Sequence, residues 1–326
     1  MPGPSTCWHL KPMKPPHDHV AMASVSERRQ FLRNALLLPA CTMMSGPVHP
    51  AADLASRIIP ADGTRLPVIG LGTWQTFDAG TDTTARTNLG RVLGRFAELG
   101  GTLVDSSPMY GSAEAVVGEL SAHLALGRRL FLATKVWTEG RAAGIMQMKQ
   151  SLRLLKRQSI ELMQIHNLVD WKQHLPELRN WKAEGRIRHI GITHYTANAY
   201  AEVEAVLRNE ALDFLQINYS LLEQESALRL LPLAADRGVA VIVNRPFAEG
   251  ALFARVKGRE LPREAAALGC RSWAQVFLRW ILAHPAVTCA IPASNKLEHL
   301  DDNMAAGLGA LPGLAEQKTL ARMAGF

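Results

Sequence analysis

The feature that most constrains the fold of this chain is a regular alternation of short β-branched runs with longer amphipathic stretches, which begins near residue 58. Strands that alternate with helices form parallel sheets, and eight βα units in roughly 250 residues predict a closed (β/α)8 barrel of the TIM type. An open doubly wound sheet is the alternative, but Gly70-Leu-Gly72-Thr-Trp-Gln75 lacks the third glycine of its dinucleotide-binding turn. The candidate strands are Val68–Gly72, Thr102–Asp105, Leu130–Lys135, Glu161–His166, His189–Thr193, Phe214–Tyr219, Val239–Asn244 and Thr288–Ile291.

A β-hairpin is predicted before the barrel, and helices are predicted between its strands. Arg57-Ile-Ile59 and Arg65-Leu-Pro67 flank a turn at Pro60-Ala-Asp-Gly63, a pattern typical of two antiparallel strands. The predicted helices include Thr84–Leu99, Ala113–Leu126, Ala143–Lys156, Ala199–Asn209, Ser272–Ala283 and Leu297–Gly307.

Residues 1–56 are predicted to be a leader that is disordered or removed, and residues 57–326 to be the barrel. Ser26-Glu-Arg-Arg-Gln-Phe-Leu-Arg33 precedes a short apolar stretch, Ala35–Met44, and this order resembles a twin-arginine export signal. The resemblance predicts a periplasmic protein; a basic extension on a cytoplasmic protein is the alternative. No other segment approaches the ~20 apolar residues of a membrane span, so no integral membrane anchor is expected.

The charge and the cysteines argue against two classes of function. Of the net charge of +7, residues 1–57 supply +3, with six Lys or Arg against three Asp or Glu. The remaining +4 does not predict a nucleic-acid partner, although it is compatible with one anionic cofactor. The four cysteines show neither a CxxC pair nor a zinc spacing, so no metal site is predicted. The spacing of Cys270 and Cys289 does not decide whether they pair.

Three consecutive predicted strands end on a titratable side chain, namely Asp105, Lys135 and His166. In a (β/α)8 barrel, the C-terminal ends of the strands carry the active site. Tyr110 follows Asp105 by one short loop. A lysine that ends an apolar strand is costly unless it is paired, and Asp105 on the neighbouring strand is its natural partner. The ammonium group is then expected to approach the Tyr110 hydroxyl and to lower its pKa.

Together these side chains predict a proton donor beside a polarised carbonyl group, since His166 can hydrogen-bond a carbonyl oxygen. Such a site suits carbonyl reduction when a cofactor brings the hydride. Each residue alone also has a structural explanation: an ion pair for Lys135, and packing for Tyr110 and His166. Two other functions stay open, a non-catalytic nicotinamide-binding sensor or scaffold subunit, and an isomerase or lyase with Lys135 as a Schiff-base amine.

Over nearly the whole barrel region, from Gly70-Leu-Gly-Thr-Trp74 to Asn303, the chain resembles the aldo-keto reductase family. The most specific match is the run from Asp105 through Tyr110-Gly-x-x-Glu114, backed by Lys135 and His166. The resemblance implies a (β/α)8 barrel with an N-terminal hairpin.

The resemblance also implies a catalytic tetrad that reduces an aldehyde or ketone with a nicotinamide hydride. In it, Tyr110 is the general acid and Lys135 lowers the pKa of Tyr110. Asp105 holds the lysine, and His166 orients the carbonyl group. A small-molecule carbonyl substrate and a monomeric enzyme are expected.

A nicotinamide site is implied in the same way. Thr193 and His194 stand where a Ser-Asn pair usually contacts the carboxamide, and Gln216 matches a glutamine with the same role. Asn244-Arg-Pro-Phe247 replaces a Tyr-Ser segment, and Arg245 is expected to stack on the ring or bind phosphate. The implied cofactor-binding residues are Gly72, Thr73, Trp74, Asp105, Thr193, His194, Gln216, Asn244, Arg245, Pro246, Phe247, Ser294, His299 and Asn303.

The adenosine-phosphate segment, residues 291–303, bears on the choice of dinucleotide. Ala293 and His299 stand where NADP-preferring members carry Lys and Arg, while Lys296 offers a replacement cation. NADP(H) is the expected cofactor, with NAD(H) as the alternative. Trp74, Met109 and Trp137 resemble the apolar wall of the family's substrate pocket, but they do not identify the natural carbonyl compound.

Overall fold

The described part of the chain, residues 53–326 of a computed structural model, begins with an antiparallel hairpin of β1 (Ser56–Ile58) and β2 (Arg65–Pro67). Ile59 and Leu66 are buried with Phe131 and Phe214, which begin two barrel strands. The Arg57 guanidinium donates to the carbonyls of Leu282 and His284, at 2.6 and 2.8 Å. The predicted hairpin is therefore confirmed, and it packs across the N-terminal end of the barrel.

Eight parallel strands follow and pair in sequence order. Parallel bridges join Ile69 to Ala290 and Gly72 to Ala293, and the Gly70 amide donates to the Ala290 carbonyl across 2.9 Å. These contacts bring the last strand against the first, so the predicted (β/α)8 barrel is confirmed. The barrel strands are β3 (Leu71–Gly72), β4 (Leu103–Asp105), β5 (Phe131–Val136), β6 (Ile160–His166), β7 (Ile187–Thr193), β8 (Phe214–Asn218), β9 (Ala240–Asn244) and β10 (Val287–Ala290).

Ten α-helices surround this sheet within residues 53–326, and they include all six predicted ones. They are α1 (Thr83–Glu98), α2 (Ala113–His123), α3 (Arg141–Leu154), α4 (Trp171–Ala183), α5 (Tyr200–Asn209), α6 (Ser226–Asp236), α7 (Ala251–Arg255), α8 (Trp273–Leu282), α9 (Leu297–Ala305) and α10 (Leu314–Ala324). Four helices were not predicted from the sequence, namely α4, α6, α7 and α10, and two of these, α4 and α6, contain Pro176 and Pro232. Proline removes a backbone donor and usually ends a helix, so tertiary packing holds these two helices together.

The C-terminal residues form α10, which packs on α8: the Gln317 side-chain amide donates to the Trp280 carbonyl across 2.9 Å. Cys270 and Cys289 are both buried free thiols, so they do not pair. Among the helices of the described region, none is long and apolar enough to cross a membrane. The leader prediction falls almost entirely on residues 1–52, which lie outside the described residues.

Candidate active site

A buried ion pair joins the ends of two neighbouring strands. Asp105 is the last residue of β4, and Lys135 lies one residue before the end of β5. The Lys135 ammonium donates to Asp105 Oδ2 and to the Ser106 carbonyl, each across 2.7 Å. Lys135 is 0% exposed and Asp105 is 2% exposed. A charged lysine survives such burial because a carboxylate and a carbonyl both accept from it.

The second carboxylate oxygen of Asp105 accepts from two buried glutamines. Gln216 Nε2 lies 2.9 Å from Oδ1, and Gln164 Nε2 lies 3.2 Å from it. Gln216 also accepts from the Thr193 hydroxyl at 3.2 Å, whereas Gln164 Oε1 is buried and has no hydrogen-bond partner within residues 53–326. Gln164 was not predicted from the sequence as a site residue. Its signal was a polar residue two positions before His166, hence on the same strand face as His166.

Tyr110 and His166 complete a compact group with this pair. Lys135 Nζ lies 5.0 Å from the centroid of the Tyr110 ring. The rings of Tyr110 and His166 meet edge to face, with centroids 5.9 Å apart and an interplanar angle of 84°. The structure therefore brings together the four side chains that were predicted from strand ends and one loop.

Burial controls the protonation of three members of this group. Burial disfavours the Lys135 ammonium, but the Asp105 carboxylate and the Tyr110 phenol outweigh it and raise the pKa of Lys135. Burial raises the pKa of Tyr110, and the opposing Lys135 charge does not reverse the shift. Lys135 therefore acts in the predicted direction on the Tyr110 pKa, and burial of the phenol in the chain alone outweighs it. Burial, the Lys135 charge and His194 lower the pKa of His166 to about 2.

A second residue that the sequence analysis missed contacts His166. Ser107 is fully buried on the loop after β4, and its Oγ lies 3.0 Å from His166 Nδ1. The Tyr110 amide donates to the Ser107 carbonyl across 3.0 Å, so the same residue also shapes the turn that carries the phenol. Only the fold reveals this contact, because the two side chains are 59 positions apart.

The residues expected to contact nicotinamide lie at the same end of the barrel. Asn244 Nδ2 donates to the His194 carbonyl across 3.1 Å, and the Tyr195 amide donates to His194 Nδ1 across 3.0 Å. Thr73 Oγ1 donates to the Asp105 carbonyl across 2.9 Å. A Cβ on Gly72 would lie 2.8 Å from the Ile291 carbonyl oxygen, so glycine is needed where β3 meets the end of the barrel.

Arg245 lies between charged and aromatic neighbours. It contacts Glu223 at 3.5 Å and Glu249 at 3.4 Å, and its guanidinium lies 5.6 Å from the centroid of Tyr195. Its φ of +49° is unusual for a residue with a side chain. Pro246 is buried beside it, and Phe247 packs on Phe253 with centroids 4.9 Å apart.

The predicted phosphate segment forms the turn into α9. The buried Ser294 hydroxyl donates to the Lys296 carbonyl across 2.9 Å and accepts from the Lys296 amide across 3.2 Å. Lys296 and His299 are exposed, and Asn303 is buried on α9. A helix N-terminus that follows an exposed lysine attracts anions, so the segment is chemically suited to a phosphate.

Three large apolar side chains are partly open to solvent around the tetrad. Trp74 is 40% exposed, Met109 is 38% exposed and Trp137 is 41% exposed. The Trp137 ring lies 6.3 Å from His166, centroid to centroid. This arrangement fits the predicted apolar wall beside the carbonyl position.

Comparison with known proteins identifies the family. A sequence model described as "Aldo/keto reductase family" matches residues 68–312. The chain is 30% identical to the methylglyoxal reductase YeaE of Escherichia coli K12, over 74% of this chain and 85% of that protein. It is 28% identical to the methylglyoxal reductase DkgB of Escherichia coli O157:H7, over 74% and 87% of the two chains.

Solved structures agree with the sequence relatives. An aldo-keto reductase from Klebsiella pneumoniae in complex with NADPH superposes with a TM-score of 0.70 and 25% identity, covering 84% of this chain and 95% of that one. An aldo/keto reductase from the same organism in complex with NADP and acetate gives a TM-score of 0.66 and 26% identity, covering 80% and 92%. The chain therefore belongs to the aldo/keto reductase family.

Proposed function

We propose that this protein reduces an aldehyde or ketone to an alcohol with NADPH, and that Tyr110 is the proton donor. Family membership and NADP-bound structural relatives support the reaction and the cofactor. The observation that carries the assignment of roles is the fully buried Lys135–Asp105 pair beside the Tyr110 ring. A fixed cation next to a phenol stabilises the negative charge that forms on its oxygen when the proton leaves.

The residues present fit a nicotinamide dinucleotide. Asn244 Oδ1 has no hydrogen-bond partner among the described residues, and the N–H of a carboxamide would satisfy it. Thr193, His194 and Gln216 would hold the same group, while Ser294 and Lys296 would face the phosphate of the adenosine. When bound, NADPH supplies the hydride for the carbonyl carbon.

The side chains of this chain supply the proton and the orientation. Because burial raises the pKa of Tyr110, the phenol is protonated at neutral pH and ready to donate. As it donates, the phenolate is held by the Lys135 charge, which Asp105 keeps in place across 2.7 Å. His166 is neutral because its pKa is about 2, so it can orient a carbonyl oxygen through one N–H.

The same protonation states argue against the Schiff-base function that the sequence left open. A Schiff base requires a neutral amine, whereas Asp105 and Tyr110 raise the pKa of Lys135. Methylglyoxal is the first substrate to test, because two relatives carry that activity in their names. It is a small ketoaldehyde, and the partly exposed apolar side chains of Trp74, Met109 and Trp137 would line its site.

Replacement of Tyr110 by Phe tests the function. We expect kcat for methylglyoxal to fall at least about 100-fold, which is the lower end of the usual contribution of a general acid. Binding of NADPH, followed by fluorescence titration, should not change. Tyr200→Phe is the matched control, since Tyr200 donates to Asn218 at 2.8 Å and takes no part in the proposed chemistry. Full turnover by Tyr110→Phe would show that another group supplies the proton.

We also propose that residues 26–44 direct export of the folded enzyme by the twin-arginine route, with its cofactor already bound. The paired Arg28 and Arg29 before a short apolar stretch support this proposal. All of these residues lie outside the part of the chain that the structure describes. Fractionation of cells that produce the full chain tests it, with Arg28→Lys/Arg29→Lys as the export-deficient control. An uncleaved parent protein confined to the cytoplasm would contradict export.

A further inference from the structure

His166 contacts a hydroxyl that the proposed mechanism does not use. Ser107 Oγ lies 3.0 Å from His166 Nδ1, and Ser107 is 0% exposed. The Met109 amide donates to the same Oγ across 3.4 Å. This donation occupies an acceptor position of the hydroxyl and leaves its single hydrogen free for another acceptor.

The direction of the Ser107–His166 bond follows from the count of hydrogens. A neutral imidazole carries one N–H, and its other nitrogen can only accept. If Nδ1 carried the hydrogen, it would donate to Ser107, and the Ser107 hydrogen would be buried without an acceptor among the described residues. An unsatisfied buried donor is strongly unfavourable. If Ser107 donates to Nδ1, its hydroxyl hydrogen is satisfied.

The second arrangement places the imidazole hydrogen on Nε2. Nε2 makes no hydrogen bond within residues 53–326. It is also not among the buried polar atoms of that region that lack a partner, so it is open to a ligand. His166 is 6% exposed to solvent, and the rings of Tyr110 and Trp137 lie on either side of it. An N–H at this position can donate to the oxygen of a carbonyl compound, whereas the other tautomer would present a lone pair to it.

We propose that Ser107 is a positioning residue that holds His166 in the tautomer with hydrogen on Nε2. The inference rests on the proposed function for the use of that hydrogen, but the tautomer itself is a property of the resting enzyme. Burial and the Lys135 charge keep the imidazole neutral, and the serine then decides which nitrogen is the donor.

The direct test is a two-dimensional NMR measurement of the histidine ring nitrogens in the NADP⁺-bound full chain, labelled with ¹⁵N-histidine. The His166 signals are assigned by their loss in His166→Gln. We expect a protonated Nε2 and a hydrogen-bonded, unprotonated Nδ1 in the parent. In Ser107→Ala the Nδ1 signal should shift towards that of a free acceptor, or a second tautomer should appear. Ser107→Thr, which keeps the hydroxyl, should restore the parent signals.

Ser106→Ala is the matched control for the NMR experiment. Ser106 is the adjacent buried hydroxyl, and its Oγ accepts from Thr73 at 3.1 Å instead of contacting His166. Its removal should leave the His166 signals unchanged.

Kinetics add a second measurement. In Ser107→Ala, kcat for methylglyoxal should fall about tenfold, while the Kd of NADPH stays within about twofold. A tenfold change is what the loss of one hydrogen bond that orients His166 is expected to cause. A parent signal with hydrogen on Nδ1 would overturn the proposal, and so would Ser107→Ala signals identical to those of the parent. Neither result depends on Tyr110, so a failure of the proposed proton donor is detected separately.

Discussion

Lys135 Nζ lies 2.7 Å from Asp105 Oδ2, and the side chains are 0% and 3% exposed. A buried pair of this kind is an inefficient way to stabilise a fold, because the desolvation of both charges opposes their attraction. Its position at the ends of β4 and β5 suits the proposed chemistry instead, because it holds one positive charge 5.0 Å from the centroid of the Tyr110 ring.

Replacement of Lys135 by Met should therefore affect activity and stability in different ways. It leaves the Asp105 charge buried without a cation, which lowers the free energy of unfolding by about 3–5 kcal/mol. It also removes the charge that stabilises the phenolate, so kcat/KM should fall about 10²–10⁴-fold. Urea unfolding and steady-state kinetics on the same preparation measure the two effects.

The double variant Lys135→Met/Asp105→Asn is the control that separates them. It removes both charges but keeps an oxygen that can accept from Gln164 and Gln216, so most of the lost stability should return. Activity should stay as low as in the single variant. Recovery of activity together with stability would show that the lysine charge matters only for folding.

Two glutamines bind the same carboxylate oxygen, yet their replacement should have unequal effects. Gln164→Leu removes a 3.2 Å bond to Asp105 and also removes a carbonyl oxygen that is buried without a partner. These changes offset each other, so the free energy of unfolding should change by less than about 1 kcal/mol. Gln216→Leu breaks bonds to Asp105 and Thr193 and should cost about 1.5–3 kcal/mol. Equal losses in chemical denaturation would contradict this reasoning.

The barrel and the tetrad could be predicted because both depend on patterns local to the chain. Apolar runs identify the strands, and in a barrel all strands end at one face, so Asp105, Lys135 and His166 had to lie near each other. The contacts of Gln164 and Ser107 could not be predicted. They depend on which side chains meet inside the barrel, and a single polar residue in an apolar run does not indicate its partner.

The balance between the two opposing effects on the Tyr110 pKa could not be predicted from the sequence for a similar reason. The neighbouring cation was foreseeable, but burial of the phenol raises the pKa more than Lys135 lowers it. The extent of burial depends on how the loop after β4 packs over the strand ends. Helices α4 and α6 were missed because Pro176 and Pro232 argue locally against helices that the packed barrel nevertheless stabilises.

The depressed pKa of His166 makes a prediction about acid stability. In the folded chain its pKa is about 2, whereas an exposed histidine has a pKa of about 6.5. Between these values the unfolded state binds a proton that the folded state does not, so stability falls as the pH is lowered below about 6.5. From pH 7 to pH 5 this contribution is about 2 kcal/mol.

Chemical denaturation of the parent and of His166→Gln at pH 7 and at pH 5 measures the contribution of His166 to acid stability. The loss of stability between pH 7 and pH 5 should be about 2 kcal/mol smaller in the variant. His123→Gln is the control, because His123 is exposed on α2 and its replacement should leave the loss unchanged. An identical pH dependence in parent and His166→Gln would mean that His166 takes up its proton at the same pH in the folded and unfolded states.

The preference for NADPH should depend on Lys296. This exposed lysine precedes α9, beside the buried Ser294 hydroxyl, whereas Ala293 and His299 stand where the family resemblance implies Lys and Arg. Lys296→Met should raise the Kd of NADPH about tenfold, equivalent to about 1.4 kcal/mol, and leave the Kd of NADH within about twofold, since NADH lacks the 2′-phosphate. Ala293→Lys should shift the preference in the opposite direction. Fluorescence titration measures both constants, with Lys318→Met on α10 as the control for the loss of an exposed charge. Equal weakening of both cofactors by Lys296→Met would place the phosphate contact elsewhere.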